Sequence, residues 1–171
     1  RFIGRLNYQP FNALSINLES EVETNPNKTQ YVTETSFEGV PRYITANIRQ
    51  NTWATTLRVN YTINPNLSIQ FYGQPFISRG RYTDFNYVND PTAKNLNERI
   101  TLFEPNQITM DSGVYNVDED SNGSIDYTID DPNFSFVQFR SNLVLRWEYI
   151  PGSEVFLVWS QGVTGFGDPR E

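Results

Sequence analysis

The sequence contains no cysteine and no histidine. The missing thiols remove disulfides, thiolate nucleophiles and thiolate metal sites, and they suit a protein that must cross an oxidising periplasm without mispairing. Without histidine there is no Ser-His-Asp or Cys-His arrangement and no imidazole-ligated metal. Methionine occurs once, and the Ala-rich and Leu-rich runs that build helices are rare. No apolar run approaches the roughly 20 residues of a membrane helix, so any bilayer crossing would need strands of about 9–11 residues. Basic charge is also scarce, with 13 Lys and Arg against 20 Asp and Glu and a net charge of −7. A phosphate backbone needs a basic surface, so nucleic acid is not an expected partner. Hydrolysis by paired carboxylates needs neither Cys nor His, but spacing marks out no such pair, and the chain is expected to be non-catalytic.

What is present is aromatic. Tyr, Phe and Trp number 10, 12 and 3, or 15% of 171 residues, a bias toward strands. The length allows one sizeable all-β domain, taken as residues 1–171. Mean hydropathy is −0.54, yet this does not exclude a membrane protein, because barrel strands are apolar only at alternate positions. The start, Arg1-Phe2-Ile3-Gly4-Arg5-Leu6-Asn7-Tyr8, already alternates and has no signal-peptide pattern, which reads as a beginning within a structured region.

Three stretches repeat a pattern: Tyr8 before Leu14, Tyr61 before Leu67 and Tyr149 before Val155, each pair spanning a Pro/Asn/Gly-containing reversal. Such residues set turn geometry and interrupt ladder hydrogen bonding, so each stretch predicts a short hairpin connection. The flanking segments alternate, as in Leu57, Val59, Tyr61 and Ile63 against Thr56, Arg58, Asn60 and Thr62. Six strands follow, at about 2–8, 14–24, 43–62, 67–77, 134–150 and 154–161, the second capable of running on through Thr29 to Thr35. Loops are expected near 25–42 and 78–133 at the end opposite the turns, which lie near Pro10, Pro65 and Pro151. Short turns on one side and long loops on the other are the arrangement of bacterial outer-membrane barrels.

In that arrangement Tyr8, Trp53, Tyr61, Trp147 and Tyr149 form membrane-interface girdles, with Trp53 and Tyr61 bracketing the apolar band. Arg5, Glu19, Arg58, Arg146 and Glu148 then face the lumen, where charges either tune a pore or pair internally. A soluble β-sandwich with one wet face has the same alternation. Val155-Phe156-Leu157-Val158-Trp159 is apolar on both faces and calls for cover on both, for instance by a plug or an inward-folded loop.

The segment from Phe136 through Val144-Leu145-Arg146-Trp147-Glu148-Tyr149-Ile150-Pro151-Gly152-Ser153, followed by Val155-Phe156-Leu157-Val158-Trp159-Ser160-Gln161, resembles the C-terminal region of a large Bacteroidota outer-membrane family. The likeness extends to Gln74-Pro75-Phe76-Ile77-Ser78-Arg79-Gly80 and covers roughly 43–161. Members of that family typically join an N-terminal carbohydrate-binding-like domain, similar to family 9 modules, to a C-terminal barrel of unknown function. The resemblance implies an outer-membrane location without a defined reaction. Six strands fall short of the usual eight or more, so the chain is expected to be a barrel fragment whose other strands come from elsewhere.

Two clusters could carry chemistry. Asp118-Glu119-Asp120-Ser121-Asn122-Gly123-Ser124-Ile125-Asp126 places oxygen ligands Asp118, Asp120, Asn122 and Asp126 at calcium-loop spacing. Ile129 stands where an EF-hand has its bidentate Glu, leaving Asp130 or Asp131 to substitute, and a solvated acidic turn is the competing reading. In the second cluster Tyr82, Phe85 and Tyr87 could stack on sugar rings, or could instead pin the loop by packing.

The expected protein is therefore an antiparallel transmembrane β-barrel portion in contact with outer-membrane lipid, other strands or envelope proteins. Its role would lie in transport, surface assembly or glycan handling. The alternative is a soluble extracellular β-domain that binds carbohydrate with calcium.

Overall fold

The computed structural model describes residues 1–168, so the last three positions of the expected 1–171 domain lie outside the described residues. The chain is all-β and antiparallel. Its elements are β1 (Phe2–Phe11), β2 (Leu14–Phe37), β3 (Val40–Asn64), β4 (Leu67–Val88), α1 (Leu96–Arg99), β5 (Ile100–Leu102), β6 (Ile108–Asp111), β7 (Val114–Val117), β8 (Tyr127–Asp130), β9 (Phe134–Ile150) and β10 (Ser153–Phe166). The main sheet runs β1-β2-β3-β4-β9-β10, with β5 added to β4, and a second sheet runs β6-β7-β8. Among the described residues β1 and β10 do not pair, so the main sheet is open.

All six expected strands are present, and β2, β3 and β4 are longer than expected. The loop expected near 25–42 is instead a continuous hairpin closed at Glu38-Gly39, whose φ values of +48° and +79° suit a two-residue reversal. The extension of the second strand through Thr29 to Thr35 that the sequence allowed is part of β2, although Asn25 and Asn27 interrupt its hydropathy pattern. The 78–133 region is likewise not one loop, since β4 continues to Val88 and four short strands follow. Long connections rarely stay structureless, and this one has a core of its own.

The chain divides into two compact units, residues 1–24, 51–79 and 134–171 in the first and 25–50 and 80–133 in the second. In unit 1 the turns fall at 12–13, 65–66 and 151–152. Pro10 therefore lies inside β1, beside a register shift between Tyr8 and Phe11 that accommodates its missing donor. A second shift lies between Ser153 and Glu154, where Gly152 takes φ +81°. Turn carbonyls also tie neighbouring hairpins together: the Thr62 amide donates to Ala13 at 2.8 Å and the Glu148 amide to Asn66 at 2.7 Å.

Unit 2 has an enclosed core of Ile44, Ala46, Phe85, Phe103, Val117, Tyr127 and Ile129. Inside it Thr45 donates to the Asn86 side-chain carbonyl, which offsets the cost of burying both polar groups.

Candidate functional site

Unit 1 has two chemically opposed faces. Cross-strand partners share a face, and Leu6 opposite Leu18, Tyr8 opposite Ile16, Leu157 opposite Leu145 and Trp159 opposite Leu143 make one of them apolar. The hairpins join along this face. The Trp53 indole donates to Ser20 Oγ at 3.0 Å, the Phe11 ring meets Tyr61 edge-on at 6.4 Å, and Gly73 leaves room for the Phe71 ring. Much of this face is not covered: Leu6 is 59% exposed, Trp159 55% and Leu157 66%. All five expected girdle residues, Tyr8, Trp53, Tyr61, Trp147 and Tyr149, are exposed as well. Trp147 and Tyr149 lie 6.0 Å apart.

The opposite face carries the charges. Arg5 pairs with Glu19 at 2.9 Å, Arg1 with Glu21 at 2.6 Å, and Arg146 with Glu154, while Glu148 lies 4.0 Å from Arg146. The Arg58 guanidinium sits 5.3 Å from the centre of the Tyr72 ring. The expected lumen residues thus share a face and mostly pair. Arg1, Glu21 and Glu154 complete those pairs and were not found from the sequence, because partner choice follows the strand register rather than spacing along the chain. Phe156 and Val158 also lie on this face, opposite Arg146 and Val144.

In unit 2 the acidic motif connects β7 to β8. Val117 pairs with Tyr127, and the Asp126 amide donates to the Val117 carbonyl at 2.8 Å, which closes the loop. Ser121 and Gly123 take φ +58° and +90°, turning backbone amides inward. Asp118 accepts from the Asn122 and Gly123 amides at 3.0 and 2.8 Å, Asp120 from Asn122, and Asp126 from the Glu119 amide at 2.7 Å. Carboxylate oxygens of Asp118, Asp120 and Asp126 consequently converge within 4.8 Å. Asn122 lies beside them, its side-chain carbonyl accepting from the Ser124 amide at 2.8 Å. Neither Asp130 nor Asp131 belongs to the converging set, and Ile129 is buried in the core. Hard oxygens clustered in this way fit a calcium-type cation.

Glu119 points the other way. Only 7% of its side chain is exposed; it pairs with Arg42 at 2.9 Å and accepts from the Tyr127 hydroxyl at 2.7 Å. The Arg42 guanidinium in turn lies 4.9 Å from the Tyr87 ring centre and 5.6 Å from that of Phe37. Burial, reinforced by the Glu119 carboxylate, pushes the Tyr127 hydroxyl above the usual phenol range. No sequence signal pointed to this network, whose members come from β2, β3, β4, β8 and the acidic loop.

The second cluster reads differently in the structure. Phe85 is 6% exposed and packs on Tyr115 at 4.5 Å, so its ring is closed to a sugar. Tyr87 is held between Phe103 and Arg42. Tyr82 is half-buried and packs against the same core, and burial raises its pKa. Packing, the competing reading, accounts for all three.

An open antiparallel sheet with one exposed apolar face and one ion-paired face, together with a separately cored unit, defines an all-β antiparallel protein. The chain belongs to a family described as Domain of unknown function (DUF5916), whose model matches residues 4–169. The match spans more of the chain than the stretches that carried the resemblance in the sequence. No curated protein matches this chain, and no solved structure does.

Proposed function

We propose that unit 1 is part of a bacterial outer-membrane β-barrel, its apolar face against lipid and its ion-paired face toward the interior. The observation that carries this reading is the bare apolar face bounded by exposed aromatic residues. Removing each such large side chain from water contributes about 1.5–3 kcal/mol, a gain that a sheet left in water forgoes. Within unit 1, β1 supplies residues 2–11, β2 14–24, β3 51–64 and β4 67–79. Each is at least as long as the roughly 9–11 residues that a tilted strand needs to cross. The unpaired edges of β1 and β10 are completed by strands outside this sequence, and Phe156 and Val158 are covered from the barrel interior. The short turns lie on the periplasmic side. The barrel serves transport or assembly at the cell surface, alongside a carbohydrate-binding module of the kind the resemblance implies. The test is partition of the isolated chain: it should require detergent or lipid, and a chain monomeric in plain buffer overturns the reading.

A second proposal rests on the three carboxylates converging within 4.8 Å: the β7–β8 loop takes a calcium ion through Asp118, Asp120, Asn122 and Asp126.

A further inference from the structure

Asn122 and Gly123 form the only Asn-Gly pair in the sequence, and they stand exposed in the β7–β8 loop, between strands rather than within one. Without a Cβ, a glycine amide is the least hindered nucleophile that a following residue can offer to an asparagine side chain. Gly123 is held at φ +90°, and the space beside its Cα is open, so neither strand pairing nor packing obstructs a ring closing there. Three contacts go beyond the dipeptide itself. The Asn122 side-chain carbonyl accepts from the Ser124 amide at 2.8 Å, the Gly123 amide donates to Asp118 at 2.8 Å, and Asn122 Nδ2 donates to Asp120 at 2.9 Å.

Two of these contacts act on atoms that change when the Gly123 nitrogen attacks Asn122 Cγ. The Ser124 N–H points at the oxygen on which negative charge develops as the carbonyl becomes tetrahedral. Asp118 accepts from the N–H whose proton the nitrogen must lose, and it returns that proton to Nδ2 as the Cγ–Nδ2 bond breaks. Ammonia leaves, and a five-membered succinimide joins the two residues. Water then opens the ring at either carbonyl, giving aspartate or isoaspartate. We propose that Asn122 is a self-modification site, converted by this route with Asp118 and the Ser124 amide assisting. The change is one-way and alters the loop. A carboxylate replaces the donor that faced Asp120, and isoaspartate also lengthens the main chain, which moves the Gly123 and Ser124 amides off their acceptors.

The test incubates the full chain in detergent with chelator at neutral pH, and in urea for comparison. Peptides are mapped by mass spectrometry, with isoaspartate read by enzymatic methyl transfer. In the folded chain Asn122 should convert at least about tenfold faster than any other asparagine, each of which precedes a residue with a side chain. Asp118→Asn keeps an acceptor for the loop amides but removes the group that takes the proton, and should slow conversion at least about tenfold. Conversion at Asn122 no faster than elsewhere overturns the proposal. So does conversion in urea alone, which would mean that the loop's hydrogen bonds protect the side chain. An unchanged rate in Asp118→Asn overturns it too, since the dipeptide would then suffice by itself. No bound cation takes part, so the calcium reading is judged separately by unfolding in calcium and in chelator, and either idea can fail alone.

Discussion

Arg42 and Glu119 stand 77 positions apart in the chain, and their side chains meet at 2.9 Å, with the carboxylate almost wholly enclosed. This contact ties the start of β3 to the acidic loop, and it explains the alternation in Asp118-Glu119-Asp120. The outer two carboxylates gather at the loop tip while the middle one anchors it.

Removing one partner of an enclosed pair leaves the other charge without compensation. Arg42→Ala should therefore destabilise unit 2 by about 3 kcal/mol, measured by denaturant unfolding. Arg42→Lys should fall between, since it keeps the charge but loses the planar stacking on Tyr87 and Phe37. The exposed Arg5→Ala should leave stability unchanged within error. Equal effects at Arg42 and Arg5 would show that enclosure does not matter here.

Tyr127 gives a pH signature. Its folded-state pKa is raised, first by burial and then by the Glu119 carboxylate, so the folded state keeps a proton that the unfolded chain loses near pH 10. The stability this contributes is full below about pH 10 and declines as pH rises beyond it. Comparing unfolding curves of the native chain and Tyr127→Phe across that range should show a steeper alkaline decline in the native chain. Parallel curves would refute the assignment.

Alternation, turn residues and aromatic placement made the sheet legible, because in unit 1 the strands other than β10 are largely apolar on one side and each short turn carries Pro, Asn or Gly. Unit 2 was not legible for the opposite reason. Its strands β6, β7 and β8 are four residues each, too short to display a period, and its core mixes Thr45 and Asn86 with apolar groups. The acidic loop was readable because its acidic and amide residues recur at a recognisable spacing. The Arg42–Glu119 pair was not, since only folding brings those residues together.

If the β7–β8 loop holds calcium, binding to the folded state alone must stabilise it. With free calcium about 100-fold above its dissociation constant the gain is about 2.7 kcal/mol, which denaturant unfolding in calcium and in chelator would reveal. Asp118→Asn combined with Asp126→Asn should abolish the difference while preserving the side-chain acceptors that shape the loop. An identical midpoint in calcium and chelator for the native chain would remove the site.

The sharpest test of the membrane reading compares two neighbours on β3. Leu57 lies midway between the exposed Trp53 and Tyr61 on the apolar face, whereas Thr56 is on the charged face with Arg58, within the cavity that also includes Arg5 and Glu19. An arginine in a bilayer midplane costs about 2–4 kcal/mol, but on a wet polar face it finds water and carboxylates. Leu57→Arg should therefore lower unfolding stability in lipid by that amount and reduce the folded fraction on unheated gels, while Thr56→Arg should change both far less. A soluble sheet predicts no dependence on lipid, because Leu57→Arg would then disturb the protein equally in bilayers and in buffer. Equal penalties for the two substitutions in lipid would mean that the apolar face does not meet the membrane.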